Sequence, residues 1–360
     1  MEDIMKNNKL LTGGLCLTMV AALLTGCGNS APTKEKDTVS STETAESTET
    51  ATSTDSEYPI VVEHYFGETV IEQKPERIAT IGWENQDTPL ALGVIPVGVS
   101  AANYGKVTDD NLHLWTAEAY EALGETNPVV FDDLDGYDYE AIHNSNPDVI
   151  LAAYSGLTEE EYALLSEIAP VIPYKTAAWQ TYWRDQTIQN ATGMGMKKEG
   201  EAKVAEVNAL IHEKLSAYPE LAGTKTAFFW ISPEDFATFY VYLPNDPRAN
   251  YLTDLGLEFP ESVLTLAEST EDFSVTLSRE NADLLNDVEM MVVYGDEQLL
   301  ADLQADELMS QIPAIRDGAV VLVDSESVLA GACTPSILSI PYTIDEYLSL
   351  LNQAREKIPS

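Results

Sequence analysis

The chain has 360 residues, 60 of them acidic and 19 basic, for a formal net charge of −41. A body this acidic repels nucleic acid and anionic headgroups and suits a basic protein surface or plain solubility. Three Cys and four His leave no disulfide framework and no metal-ligand spacing.

In chain order the first segment is an address. MKNNK at 5–9 is basic, and LLTGGLCLTMVAALL at 10–24 is apolar over signal-peptide length, too short for a stable membrane span. LLTGC at 23–27 resembles the bacterial lipobox. That resemblance implies a lipoprotein signal peptide over 1–26, cleavage before Cys27, and acyl chains such as palmitate on Cys27. The protein would then be lipid-anchored to the cell membrane, on the extracytoplasmic face of a bacterium. Residues 27–57 are Ser/Thr/Glu-rich and lack core-forming side chains, so a disordered tether is expected. Cys333 is left alone and is read as a buried structural thiol.

The remainder is long for one core and predicts two lobes. In the first, 58–178, YPIVVEHYFGETVIE alternates around Gly67 as a hairpin, and ERIATIGW at 76–83 is a buried strand. NQDTPLALGV follows as a helix, with Asp87 as cap and Gly93 as stop. IPVGVS is a strand, GYDYEAIHNSNPDVILAAY at 136–154 is a helix then a strand, and Thr158 with Glu161 marks a capping box on the next helix. Residues 179–218 are helix formers with Val204, Val207, Ile211 and Leu215 on one stripe, a helical backbone joining the lobes. In the second lobe, 219–360, TAFFWIS and TFYVYL are strands, and NDPRANYLTDLG is a helix capped by Asp246. VTLSRENADLLNDVEMMVVY at 275–294 repeats the pattern of 136–154: Glu140 and Glu280 head the helical parts, and Asp148-Val149 and Asp287-Val288 open the apolar runs. GAVVLVD and a terminal helix complete the chain. Helices alternating with apolar runs define an α/β fold: two α/β sandwich lobes with mostly parallel sheets, a long backbone helix, and a ligand cleft between the lobes.

No phosphate loop, Cys-x-x-Cys or nucleophile elbow is present, so nothing points to catalysis, though an extracytoplasmic enzyme stays open as an alternative. What stands at strand ends and in loops is aromatic: Trp83, Tyr104, Tyr154, Trp179, Trp183, Trp230, Tyr240 and Tyr242. Arg184 and Arg248 adjoin the same segments. Ligands in open α/β sheets bind beyond the carboxyl ends of strands, so these ten residues are the expected ligand contacts.

RIATIGWENQDTPLALGVIPVGVS, AIHNSNPDVILAAYSGLTEEEYALLSEIAPVI, WRDQTIQNATGMG, DPRANYLTDLG, FSVTLSRENADLLNDVEMMVV and IPAIRDGAVVLVDSESV, in that order, resemble the iron-siderophore type of ABC-transporter substrate-binding lipoprotein. The resemblance implies two α/β lobes with limited closure, ligand held between them, iron delivery to a membrane permease, and no enzymatic activity. It also implies that Glu140 and Glu280, one per lobe, dock onto arginines of the permease subunits. A monomer is expected, with no cofactor of its own; the ligand is a ferric siderophore, an Fe(III) chelate. The scarcity of bases disfavours a polyanionic ferric tris-catecholate and favours a hydroxamate or mixed-donor siderophore, with haem, cobalamin and a bare metal ion as alternatives on the same fold.

Overall fold

The computed structural model describes residues 58–359, so the expected signal peptide, Cys27 and the tether lie outside the described residues. The chain enters on a hairpin of β1 (Ile60–His64) and β2 (Gly67–Ile71), paired antiparallel from Ile60↔Ile71 to His64↔Gly67.

β3 (Ile78–Thr80), β4 (Gly98–Ser100), β5 (Val130–Phe131), β6 (Val149–Ala152) and β7 (Val171–Pro173) form a sheet of order β5-β4-β3-β6-β7, parallel throughout. The strands are short, and nearly all their residues are buried, because both faces are covered. Ala79, Ile150, Ala152 and Val171 pack on one face with Ile142 and Leu165. Ile78, Val149, Leu151 and Ile172 pack on the other with Met194 and the hairpin's Val62 and Ile71.

The second sheet contains β8 (Thr226–Ile231), β9 (Thr238–Tyr242), β10 (Ser274–Ser278), β11 (Met290–Tyr294) and β12 (Val320–Val323), in the order β10-β9-β8-β11-β12. Adding five to each strand number of the first order gives the second, so β6 and β11 occupy the same slot. The second sheet is mixed. β11 runs parallel to β8 and β12, while β9 runs antiparallel to β8 and β10. Residues 232–237 join β8 to β9 directly, too short a link for a crossover, so the pair is a hairpin. Ala227, Phe229, Ile231, Phe239, Val241, Met291 and Val293 point into the core. Strand alternation therefore places Phe228, Trp230, Tyr240, Tyr242 and Tyr294 on the opposite face.

Between the sheets the expected backbone helix is two helices, Trp183–Gly193 and Lys197–Leu215. The chain breaks at Gly195, whose φ of +69° favours glycine and whose Cβ would run into the Tyr58 hydroxyl. Val204, Val207 and Ile211 form the buried stripe of the longer helix, which packs on the terminal helix Ser339–Arg355.

Candidate functional site

The first sheet presents its strand ends through one buried amide. Asn85 donates from Nδ2 to the carbonyls of Ile81 (2.7 Å) and Tyr154 (2.9 Å), and its Oδ1 accepts from Tyr154 N (3.1 Å) and Asn190 Nδ2 (2.9 Å). Trp83 N completes the tie to Tyr154 O at 3.1 Å. Trp83 and Tyr154 thus emerge side by side beyond β3 and β6. Trp179, at φ +60°, sets its ring edge-on to Tyr154 with centroids 5.4 Å apart. It also lies over Gly156, where a Cβ would come within 2.3 Å of the indole nitrogen. That close approach requires glycine.

The second sheet answers with tyrosines and one arginine. Asp246 caps the helix Pro247–Asp254, accepting from Arg248 N (2.9 Å) and Ala249 N (3.3 Å). The same carboxylate holds the Arg248 guanidinium by a fork, Nε to Oδ1 at 2.8 Å and Nη2 to Oδ2 at 2.9 Å. Nη1 donates to the Tyr242 hydroxyl at 3.2 Å, and the guanidinium carbon sits 4.1 Å from the Tyr242 ring centre. Phe228 packs against both Tyr242 and Tyr294.

The two halves meet. Tyr104, from the loop after β4, stands edge-on to Tyr294 at 5.3 Å. Burial pushes the phenols of Tyr104 and Tyr154 up, and the charge of Arg248, from the second lobe, pulls both back in part. Burial likewise pushes Tyr242 up to about 12, so these phenols stay neutral at physiological pH. Lys106 N donates to Ser327 O at 3.0 Å, and Tyr182 donates its hydroxyl to Pro244 O at 3.0 Å. Cys333 is fully buried beside Tyr294 and Tyr347, its thiol pushed up to about 12 by burial. Among the described residues no three His, Cys, Asp or Glu stand together as a metal-binding group.

The structure therefore brings Trp83, Tyr104, Tyr154, Trp179, Tyr242 and Arg248 to one place. Trp230 and Tyr240 are a cross-strand pair, directly opposite in register with centroids 5.2 Å apart, half-buried on the same sheet face as Tyr242. Trp183 and Arg184 do not join the cluster. Trp183 is 2% exposed and donates to Asp254 Oδ2 at 3.0 Å. Arg184 lies 4.4 Å over the Trp183 ring and bonds Asp254 (2.7 Å) and Asn208 (2.6 and 2.9 Å). The pair pins three helices together. Asp87 is no helix cap either: the helix Asp87–Ala91 has no side-chain cap, and the Asp87 carboxylate is buried among side-chain donors. Sequence reading missed Tyr294, although it ends MMVVY as Tyr242 ends TFYVY. Glu140 and Glu280 are both exposed, in the first turns of the helix Tyr139–Asn144 and of the 3-10 segment Arg279–Leu285.

The profile of the family described as "Periplasmic binding protein" matches residues 78–327, and the chain belongs to that family of extracytoplasmic binding proteins. The crystal structure of Streptococcus pneumoniae TIGR4 PiaA in complex with ferrichrome is similar at 47% identity and a TM-score of 0.81, covering 83% of this chain and all of that one. The Fe(3+) dicitrate-binding periplasmic protein FecB of Escherichia coli (strain K12) is 25% identical over 74% of this chain and 86% of its own. YhfQ of Bacillus subtilis (strain 168), provisionally named an ABC transporter substrate-binding lipoprotein, is 23% identical over 84% of this chain and 90% of its own.

Proposed function

We propose that the protein captures a ferric hydroxamate siderophore of the ferrichrome kind and delivers it to the permease of an ABC importer. The observation that carries the ligand class is the charge balance of the cleft. Arg248 is its cation, and Asp246 already neutralises it through a bidentate pair. A ferric tris-hydroxamate is electrically neutral, so it leaves that balance intact. A ferric tris-catecholate brings three negative charges beside Asp246, which is buried and, among the described residues, has no second cation in its ion pair. Neutral phenols and indoles from both lobes suit the apolar flank of a wrapped chelate, and the hydroxyls of Tyr104, Tyr154 and Tyr242 can donate to its oxygens. The 47% identity to a protein solved with ferrichrome supports the same class. Lipid on Cys27 fits this role by keeping the binder at the membrane that houses its permease. Titration of intrinsic Trp fluorescence tests the reading. Ferrichrome is expected to quench at submicromolar concentration, and a ferric tris-catecholate, haem and cobalamin to bind at least a hundredfold more weakly. Preference for the tris-catecholate would overturn it.

A further inference from the structure

Glu84 follows Trp83 directly in the loop after β3. It is a non-glycine residue at φ 55°, it is 3% exposed, and neither carboxyl oxygen makes a hydrogen bond. Strain of this kind in a buried acid is retained only where the surroundings hold it. Three residues on, Asp87 is equally buried and fully served. It accepts from Trp115 Nε1 (2.8 Å), Thr116 Oγ1 (2.9 Å) and Ser336 Oγ (2.5 Å). Two adjacent buried carboxyls with no Lys or Arg ion pair among the described residues do not both ionise, and the donors decide between them. Asp87 takes the charge. Glu84 keeps its proton, since burial and the Asp87 charge push its carboxyl well above the ordinary range. Trp83 and Ser336 pull the other way, but neither meets its oxygens in hydrogen-bond geometry.

A neutral carboxyl has one hydrogen to donate. The acceptor in front of it is His113 Nδ1, 3.6 Å from Oε1 and otherwise unpartnered. The other ring nitrogen, Nε2, lies 3.1 Å from Tyr104 O, an acceptor, so Nε2 carries the hydrogen and Nδ1 is bare. Burial pushes His113 down to about 4, which keeps the ring neutral. The ring is stacked on Trp115 at 4.4 Å and meets Trp83 edge-on at 5.2 Å. On the second-lobe side, a Cβ on Gly331 would come within 2.9 Å of Nε2, so only glycine leaves room for the imidazole.

We propose that Glu84 and His113 are positioning residues: the Glu84 O–H closes the 3.6 Å gap and donates to His113 Nδ1, and His113 Nε2–H donates to the carbonyl of Tyr104. The relay holds the loop that carries Tyr104 to Tyr294 and docks Gly105 and Lys106 on the backbone of Gly331 and Ser327. Tyr104 is a wall of the cleft, so the effect on affinity rests on the chelate reading above, whereas the hydrogen positions do not. The titratable groups facing Glu84 are Asp87 in its own turn, His113 from the loop before the helix Leu114–Ala122, and Tyr154 beyond β6. Among the described residues the second lobe contributes only the neutral Ser336.

Nitrogen NMR of the histidine rings, with His113 assigned by its loss in His113→Phe, reads the tautomer without ligand. The relay requires a bare Nδ1 and a protonated Nε2 from pH 5 to 7; an Nδ1–H tautomer or an imidazolium there would overturn it. Ferrichrome titration reads the consequence. Glu84→Leu, which cannot donate, is expected to weaken binding about tenfold, and Glu84→Gln, a neutral donor, to recover affinity to within about twofold of wild type. Wild-type affinity should fall as pH rises through the ionisation of Glu84, and the Gln variant should not follow. Equal losses in Leu and Gln, or one pH profile shared by wild type and Gln, would refute the relay. If Leu does not fold, the tautomer and the Gln profile decide. Failure of wild type to bind ferrichrome would count against the chelate reading, and the tautomer would still decide the relay.

Discussion

Arg248 shows how much one side chain can be asked to do in a desolvated place. The residue is 6% exposed, and its guanidinium is forked onto Asp246, bonded to the Tyr242 hydroxyl and stacked on the Tyr242 ring. Lysine would keep the charge opposite Asp246 but could neither bridge both oxygens nor lie flat on the ring. Arg248→Lys is therefore expected to weaken ferrichrome binding about tenfold with the fold intact. Arg248→Ala would strand Asp246 as a buried unpaired charge and cost about 3–5 kcal/mol of stability. Ligand titration and thermal unfolding of the two variants separate shape from charge; wild-type affinity in the Lys variant would show that the fork is not read. That Trp83, Tyr242 and Arg248 gather in one cluster was legible because each sits just beyond a strand, at its last residue or at a cap, where α/β sheets present side chains. Trp183 and Arg184 fall outside the cluster because adjacency to a cleft-bordering segment does not say which face of a helix a residue takes, and theirs faces Asp254 and Asn208. Glu84 and His113 carried no signal, since their meeting depends on how the loop after β4 folds back.

At the scale of elements, the repeated unit proves real but is shifted from its sequence match. β6 and β11 fill the same slot in sheets of the same order, and a short helical segment with an exposed glutamate precedes each. The Asp-Val pairs, however, are not equivalent. Asp148 N donates to Arg77 O (2.7 Å), and its carboxylate accepts from Arg77 N (2.9 Å), clamping β6 to β3. In the second lobe Glu289 makes that clamp, N to Lys225 O and Oε2 from Lys225 N, both 2.9 Å. Asp287 instead accepts from Ser262 N (3.1 Å) and Oγ (2.5 Å). Sequence similarity saw two carboxylates before two apolar runs; only backbone pairing tells which one is the clamp. The glutamates upstream have no such internal task. Among the described residues the Glu140 side chain has no hydrogen-bond or ion-pair partner, and Glu280 is bonded only locally, by Ser278, which holds its carboxyl below the ordinary range and thus ionised. That fits the docking of each on a permease subunit that the family resemblance implies. Glu140→Ala and Glu280→Ala are expected to leave ferrichrome affinity unchanged and to reduce uptake in cells partially, with the double variant severe, because each exposed pair is weak alone. Normal uptake in the double variant would remove the docking role.

At the scale of the whole molecule, two charge systems respond to pH, one on the surface and one in the seam between the lobes. The alternation of apolar runs and helices announced two α/β lobes, but not the seam, whose Asp87–Ser336 bond joins residues 249 positions apart. Asp87 is raised by burial to about 6, so between its ordinary value and 6 the folded state holds a proton that the unfolded state has lost, and stability falls as pH rises. His113 is lowered by burial to about 4, so between 4 and its ordinary 6.5 the unfolded state holds the extra proton, and stability rises with pH. These two largely offset each other between pH 4 and 6. Glu84 is left over. Raised by burial and by Asp87, it keeps lowering stability as pH climbs from the ordinary carboxylate range through its own higher value. The surface acts in the same direction, because a chain of net charge −41 repels itself more as its carboxylates ionise. Salt distinguishes them. The Debye length falls to about 10 Å at 0.1 M and about 3 Å at 1 M, which screens exposed charges but not a carboxyl sealed under Trp83. Thermal unfolding from pH 5 to 8.5 is therefore expected to show a decline that high salt removes only in part. Glu84→Gln should remove part of the remainder, the rest falling to the buried carboxyls of Asp133 and Asp246, and its advantage over wild type should grow as pH rises. If salt alone flattens the curve, or if the Gln variant runs parallel to wild type, Glu84 does not carry its proton into the neutral range, and the seam contributes nothing to the pH response of the fold.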